Sequence, residues 1–586
     1  MLIETIHSPA DIKGFDTAQL TALAAEIRSG LMNRLSKRGG HFGPNFGIVE
    51  ATVALHYVFD SPKDKFVFDV SHQCYTHKIL TSRKDAFFDD AHFGDVSGYT
   101  NPAESAHDFF NVGHTSTSVS LACGLAKSRD LQGGSGNVIA VIGDGSLSGG
   151  EALEGLDFAA ELGSNFIIVV NDNDMSIAEN HGGLYQNLKA LRESNGSCGN
   201  NLFRAMGLDY RFVADGNDLT QLIEAFSAVK DTDHPTVVHI VTQKGKGYAP
   251  AETEKENWHW HIPFDPAAGQ APASDSGENY GDMTCEFLLK KMKADPRVVT
   301  MVAAVPVCIG FTPEKRKEAG RQFVDVGIAE EHAIAMASGI AKNGGKPVFA
   351  THSSFFQRTY DQLSQDLCIN SNSATLLVNT ASVYGMHDIT HLGIFDIAMM
   401  SNIPNLVYLA PATCEEYFSM LDWSIEQDQY PVAIRIPCSG VHHTDQPVDT
   451  DYSELNRYQV TQQGAGTAIL ALGDFYQIGA ELAKLIEEKT GTAPTLINPR
   501  YITGSDEALL TKLKENHSTV ITLEDGILNG GFGEKIARYY GASEMKVYCF
   551  GLKKEFLDRY AVADVLQANH LTPAQIYNDV FEGGTQ

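Results

Sequence analysis

Two uninterrupted apolar runs constrain the fold more than any other feature of the chain. Val138-Ile139-Ala140-Val141-Ile142 and Phe166-Ile167-Ile168-Val169-Val170 are rich in β-branched residues and do not alternate with polar ones. Such runs suit strands buried on both faces of a parallel sheet. Each ends in a turn: Gly143-Asp144-Gly145-Ser146-Leu147-Ser148-Gly149-Gly150 after the first, Asn171-Asp172-Asn173-Asp174-Met175-Ser176-Ile177 after the second. A helical pattern from Glu151 to Leu162 joins them. Parallel sheets bind ligands at the carboxyl ends of their strands, which is where Asp144 and Asn173 fall. Two oxygen side chains there suit a hard cation such as Mg2+ that shares diphosphate oxygens. Gly143, Gly145, Gly149 and Gly150 would let the backbone approach those phosphates. Alone, Gly-Asp-Gly also reads as an ordinary crossover turn. Its pairing with Asn-Asp-Asn one βα unit later makes the signal specific.

A chain of 586 residues is too long for one core, so two to four domains are expected. Phe264 to Tyr280 and Val441 to Leu455 have the composition of linkers. They divide the chain into domains at 1–265, 281–440 and 456–586. A formal charge of -29 argues against nucleic acid or an anionic membrane as partner. No apolar run approaches the roughly 20 residues of a membrane span, and the first residues lack a signal-peptide core. The nine cysteines form no Cys-x-x-Cys pair and read as free thiols of a reducing cytoplasm.

Ahead of the first strand pair, Leu20, Leu23, Ala24, Ile27, Leu31 and Leu35 mark a helix over 17–38. The glycine-rich stretch Gly39 to Gly47 that follows reads as an irregular loop and carries His41. His72 follows the strand Phe66–Val70, and His114 lies in Val112-Gly113-His114-Thr115-Ser116-Thr117-Ser118. One such histidine reads as a plain loop residue. Three at strand or loop ends suggest proton transfer, which imidazole performs best near neutral pH.

Gly-Gly-His, Asp-Val-Ser-His-Gln, His-Lys-Ile-Leu-Thr, Gly-His-Thr-Ser-Thr-Ser, Gly-Asp-Gly and Asn-Asp-Asn-Asp-Met-Ser-Ile occur here in that order, followed by Lys244-Gly245-Lys246-Gly247-Tyr248. In this the chain resembles the 1-deoxy-D-xylulose-5-phosphate synthase family of the transketolase superfamily over nearly its whole length. The resemblance implies thiamine diphosphate and Mg2+ as cofactors. The metal would be held by Asp144, Asn173 and the Met175 carbonyl. His41 and His72 would line the reaction centre, and His72, Gly113, His114, Thr115, Gly145, Ser146, Asn173 and Tyr248 would contact the cofactor. Lys244 would serve the diphosphate, where a fixed cation acts most strongly in a dry site. Glu330, in Asp325-Val326-Gly327-Ile328-Ala329-Glu330-Glu331-His332, would be the carboxylate beside the aminopyrimidine. Read from the residues alone, Glu330 and Glu331 stabilise a helix N-terminus. Phe355 would stack on the pyrimidine, although alone it would pass as core, and His391 would join the proton-handling histidines.

The chain departs from this pattern in three places. Only the short stretch His181 to Asn200 stands where the family carries a long insertion. Asn379-Thr380 replaces an Asp-Arg pair, and Cys438 replaces a second arginine, both belonging to the family's acceptor-phosphate site. His387 stands at the usual Asp position. Arg358 and Arg435 remain, unplaced. Glu524 to Gly533 resembles the acidic-glycine turn of a C-terminal domain that supports dimerisation in the family.

The reading is an α/β chain of three domains, each with a mostly parallel sheet flanked by helices, transketolase-like and homodimeric. It would decarboxylate pyruvate or a similar 2-oxo acid and join the two-carbon unit to an aldehyde. That acceptor is either glyceraldehyde 3-phosphate, if other basic residues have moved in, or a different aldehyde. Transketolase-like ketol transfer and a non-catalytic paralogue are the alternatives.

Overall fold

The computed structural model describes residues 1–269 and 277–583. The chain forms two compact units, one holding the N-terminal part up to the linker together with Gly327–Ala329, the other holding Gly277–Val326 and everything from Glu330. Of the expected linker Phe264 to Tyr280, residues 270–276 lie outside the described residues.

The first unit contains β1 (Gly40–His41), β2 (Lys65–Phe68), β3 (Val138–Gly143), β4 (Ile167–Asp172), β5 (Asp209–Val213), β6 (Thr236–Val241) and β7 (Trp260–His261). β2 to β6 make a parallel sheet in the order β2-β3-β4-β6-β5, and β1 pairs antiparallel with β7. The two apolar runs are its central strands. Ile139, Val141, Ile167 and Val169 enter one core, and Val138, Ala140, Ile142, Ile168 and Val170 enter another. The period of two along each strand thus feeds both faces.

The stretch from Gly39 to Gly47 is not an irregular loop. After Gly39 and Gly40, both at positive φ, Phe42–Gly47 forms a fully buried helix. A Cβ at Gly43 would lie 3.0 Å from the Trp258 carbonyl and 3.2 Å from Lys244 Cγ, and one at Gly47 would lie 3.0 Å from the Gln243 carbonyl. These glycines seat the helix against the Lys244 segment, a close approach that sequence composition reads as loop.

The second unit carries two sheets. β8 (Val298–Val302), β9 (Phe323–Asp325), β10 (Lys346–His352), β11 (Thr375–Asn379), β12 (Val407–Leu409) and β13 (Val432–Arg435) form a parallel sheet in the order β12-β13-β11-β10-β8-β9. β14 (Gln459–Gln462), β15 (Gly466–Ala471), β16 (Thr495–Asn498), β17 (His517–Ile527) and β18 (Lys546–Leu552) follow in the order β14-β16-β15-β17-β18, with β14 antiparallel at the edge. The linker-like segment 441–455 runs between them and packs against them. Tyr452 is buried in one core with residues of both sheets, and its carbonyl accepts from the Tyr501 hydroxyl at 2.9 Å. Glu524 to Ile527, expected as a turn, continues β17; its carboxylate at Glu524 accepts from Phe532 N and Gly533 N, both at 2.7 Å, at the start of the helix Phe532–Tyr540. No helix among the described residues is long and apolar enough to cross a membrane.

Candidate active site

In the first unit, the carboxyl ends of β3 and β4 carry a buried polar corner. Asp144 is 1% exposed, and its Oδ2 accepts from Met175 N at 3.1 Å and from Asn180 Nδ2 at 2.8 Å. Asn180 was not singled out in the sequence. It reaches Asp144 because the chain turns back at a bridge between Met175 and Glu179, a contact no local pattern announces. Burial, reinforced by nearby Asp172, pushes the Asp144 carboxyl up to about 8. The side-chain oxygens of Asn173 and Asn180 are buried without a hydrogen-bond partner. A carboxylate short of cations beside two orphaned amide oxygens fits a hard divalent ion. No group of three or more His, Cys, Asp or Glu that could hold a metal occurs among the described residues, so such an ion would take further oxygens from its ligand. Lys244 donates to the Ser176 carbonyl at 2.7 Å, and burial lowers its ammonium to about 7. A cation at this corner would relieve the penalty on Asp144, and an anion that on Lys244.

The glycines divide between two roles. A Cβ at Gly145 would lie 2.8 Å from Ser176 Oγ, and one at Gly149 would overlap Ser116 Oγ, so these two serve packing inside the protein. At Gly143 and at the exposed Gly150 a Cβ would meet nothing within 4 Å, so packing inside the protein does not require glycine at either. Asp69 holds the adjoining loop of Gly113, His114 and Thr115 by accepting from Ser116 N at 2.8 Å and Ser118 N at 3.0 Å.

The short stretch 181–200 is not an open polar loop. It forms a helix, Gly183–Glu193, whose Tyr185, Leu188 and Leu191 are buried. From it Arg192 forks onto Asp172 at 2.7 and 2.8 Å and reaches Asp174 at 2.7 Å, while His239 meets Asp172 at 2.9 Å. Burial alone would raise the Asp172 carboxyl, but His239 and Arg192 hold it below its ordinary value. The segment therefore braces the turn that carries Asn173. Arg192→Ala leaves Asp172, whose side chain is fully buried, without its guanidinium partner. We expect a loss of about 3 kcal/mol, measured as a lower urea midpoint at unchanged slope.

Three imidazoles gather in the same unit. The ring centroids of His41 and His72 are 5.0 Å apart, His259 stacks on His72 at 5.4 Å, and His259 meets His41 edge-on at 5.6 Å. Burial, with Lys244, His72 and His41 nearby, keeps His259 neutral, well below its ordinary range. Asn45 ties the two loops by donating to the carbonyls of both His41 and His72 at 2.7 Å. The sequence reading named neither Asn45 nor His259. Tyr248 packs among Phe42, Trp258 and Phe264, with its hydroxyl on the Pro266 carbonyl at 3.3 Å.

In the second unit, Glu330 opens the helix Glu330–Lys342 and is 2% exposed, with Oε2 buried and unpartnered. Burial raises its carboxyl to about 7, against the pull of Arg358. An isolated acid of this kind is poised to bind an N–H donor from a ligand. Phe355 stands 5.3 Å from His352 and 5.6 Å from His391, ring to ring. Burial, with His391 adding to it, lowers His352 to about 4.

The acceptor positions lie on adjacent strand ends of this unit. Thr380, at φ 53°, bonds to His352 Nδ1 at 3.1 Å and donates to the Asn379 carbonyl at 2.7 Å. Cys438 follows β13, paired with β11, and its N–H donates to Asp474 at 3.0 Å; Ser439 Oγ donates to the same carboxylate at 2.7 Å. Arg435 is committed to Asp396 at 2.9 Å and Asp525 at 2.5 Å, all three buried. At these two positions the chain presents a threonine and a cysteine, the latter backed by a buried carboxylate.

The family model described as 1-deoxy-D-xylulose-5-phosphate synthase matches residues 3–198 and 195–242. The transketolase pyrimidine binding domain matches 279–441, and the transketolase C-terminal domain matches 456–576. The 1-deoxy-D-xylulose-5-phosphate synthase 1 of Geobacter sulfurreducens is 37% identical over 603 residues, covering 95% of this chain and 93% of its own. The synthase of Symbiobacterium thermophilum is 38% identical, covering 98% and 93%. That of Halalkalibacterium halodurans is 35% identical, covering 99% and 98%.

Proposed function

Because the chain belongs to the 1-deoxy-D-xylulose-5-phosphate synthase family, thiamine diphosphate-dependent transferases that use a divalent metal such as Mg2+, we propose that it decarboxylates pyruvate or a similar 2-oxo acid and joins the two-carbon unit to an aldehyde. The observation that carries this reading is Glu330, a buried carboxylate with an unpartnered oxygen at the head of a helix. When bound, the cofactor supplies the carbon nucleophile and the electron sink for loss of CO2. Glu330 would hold its pyrimidine and keep negative charge at that ring. Phe355 would stack on it. Asp144, Asn173 and the Met175 carbonyl would hold the metal, with Asn180 orienting Asp144. Lys244 would neutralise diphosphate charge, and Gly145 and Ser146 would give it backbone donors. His41, His72 and His391 would move protons and stabilise developing alkoxides.

The acceptor end supports an aldehyde that is not held by a phosphate at Thr380 and Cys438. Ketol transfer without decarboxylation remains the rival chemistry, and CO2 release from pyruvate separates the two. The metal assignment has its own test. Wild-type protein should gain thermal stability on addition of thiamine diphosphate and Mg2+, by about 2.7 kcal/mol when ligand stands at roughly 100 times its Kd. Asp144→Ala should lose that gain. A variant that is stabilised as fully as the wild type would remove Asp144 from the metal site.

A further inference from the structure

The carboxylate absent at position 387 is present one residue later, and it is already in contact with a histidine. His391 Nδ1 lies 3.0 Å from Asp388 Oδ1 and 2.8 Å from Thr390 Oγ1. The Thr390 hydroxyl donates to Asp388 Oδ1 at 2.5 Å, and Thr390 N donates to the same oxygen at 3.0 Å. With the hydroxyl hydrogen spent on Asp388, both oxygens facing Nδ1 are acceptors. Nδ1 therefore carries a hydrogen, and Nε2 is left as the atom that takes or gives a proton.

The loop that bears this pair is fixed from outside. Ile389 N donates to Asp558 Oδ1 at 3.2 Å, Arg559 N donates to the His387 carbonyl at 2.6 Å, the Tyr560 ring stacks on His387 at 4.6 Å, and the Tyr560 hydroxyl donates to the Val383 carbonyl at 2.9 Å. All of these come from the segment after β18. The pair is thus held on two elements, as a proton-transfer group requires.

We infer that Asp388 is the positioning residue for His391, so that Nε2 is presented to the reacting groups in one tautomer. Burial would raise the Asp388 carboxyl, but the bonds from His391 and Thr390 hold it down at about 2, so it stays ionised across the working range. The other titratable groups around the pair are His352, on which His391 acts, Tyr560, on which Asp388 acts, and Asp558, Arg559 and His387 on the packed segment.

This inference rests on the proposed proton-handling role of His391, and the experiment separates the two. Rate is measured against pH for the holoenzyme with Asp388→Asn and His391→Gln, alongside thermal midpoints. Asparagine keeps the oxygen that Thr390 N needs and removes only the charge. We expect Asp388→Asn to lower kcat by about 10–100-fold and to move the pH limb that His391→Gln abolishes toward acid by about one unit. An active His391→Gln enzyme with an unchanged profile would overturn the His391 role and the inference with it. A damaged His391→Gln enzyme beside an Asp388→Asn enzyme with wild-type rate overturns the inference alone. A slower Asp388→Asn enzyme with an unmoved limb and a lower midpoint does the same, since that is the signature of a packing role.

Discussion

Glu330→Gln is expected to slow exchange of the bound cofactor's C2 proton by about 10²–10³-fold, the scale of one lost preorganised charge, while cofactor binding survives. Glutamine keeps the size and hydrogen-bonding capacity of the residue and removes the charge. Exchange followed by NMR in deuterated buffer reads the effect directly, and a near wild-type rate would dismiss Glu330 from activation. A second readout needs no cofactor. In the free protein the carboxyl stands at about 7 because it is buried, above the ordinary value near 4.3 for glutamate. Between those values the folded state binds more protons than the unfolded state, so stability falls as pH rises through that window. The penalty, about 4 kcal/mol when complete, is present above pH 7 and absent below about pH 4. Glu330→Gln removes it, so the midpoint of the variant should gain on that of the wild type from pH 5 to pH 8.

The wild-type enzyme is expected to show little preference for D-glyceraldehyde 3-phosphate over D-glyceraldehyde, and Thr380→Arg/Cys438→Arg to raise that preference by about 10²–10⁴-fold in kcat/KM. Each charge-assisted hydrogen bond is worth about 1.5–3 kcal/mol, and each 1.4 kcal/mol is tenfold. Threonine offers one neutral donor and cysteine a weak one. The structure sharpens the case, because Arg435 is tied to Asp396 and Asp525 and the Cys438 backbone faces Asp474. Burial, with Asp525 adding to it, raises the Asp474 carboxyl; a phosphate beside it would meet no compensating charge from these residues. A wild-type preference of several orders of magnitude for the phosphorylated aldehyde would refute the altered acceptor.

The positions of the candidate site residues that local pattern carries were legible in the sequence. Asp144 and Asn173 fall where the sequence puts them because each follows a strand whose β-branched run is unmistakable; the start of the helix at Glu330 was legible from its acidic pair, but its role beside a cofactor came only from the family resemblance. Residues that act through long-range contacts were not legible. Asn45 reaches back to His72 across 27 positions, and Asn180 reaches Asp144 across 36. Arg192 meets Asp172 across 20 positions, which a polar stretch does not announce. His259 lies in a short aromatic run that reads as core, and nothing in local pattern marks the contact of Asp388 with His391. The glycines of the 39–47 stretch misled for a physical reason: composition does not distinguish a flexible loop from a helix that needs bare backbone to pack.

The central claim is decarboxylating carboligation, and one measurement tests it directly. Holoenzyme receives pyruvate with D-glyceraldehyde or with D-glyceraldehyde 3-phosphate, and released CO2 and product mass are followed together. The account predicts aldehyde-dependent CO2 release and a ketose two carbons longer than the aldehyde supplied. Absence of CO2 from pyruvate, with two-carbon transfer from a ketose donor to the same aldehydes, would contradict it.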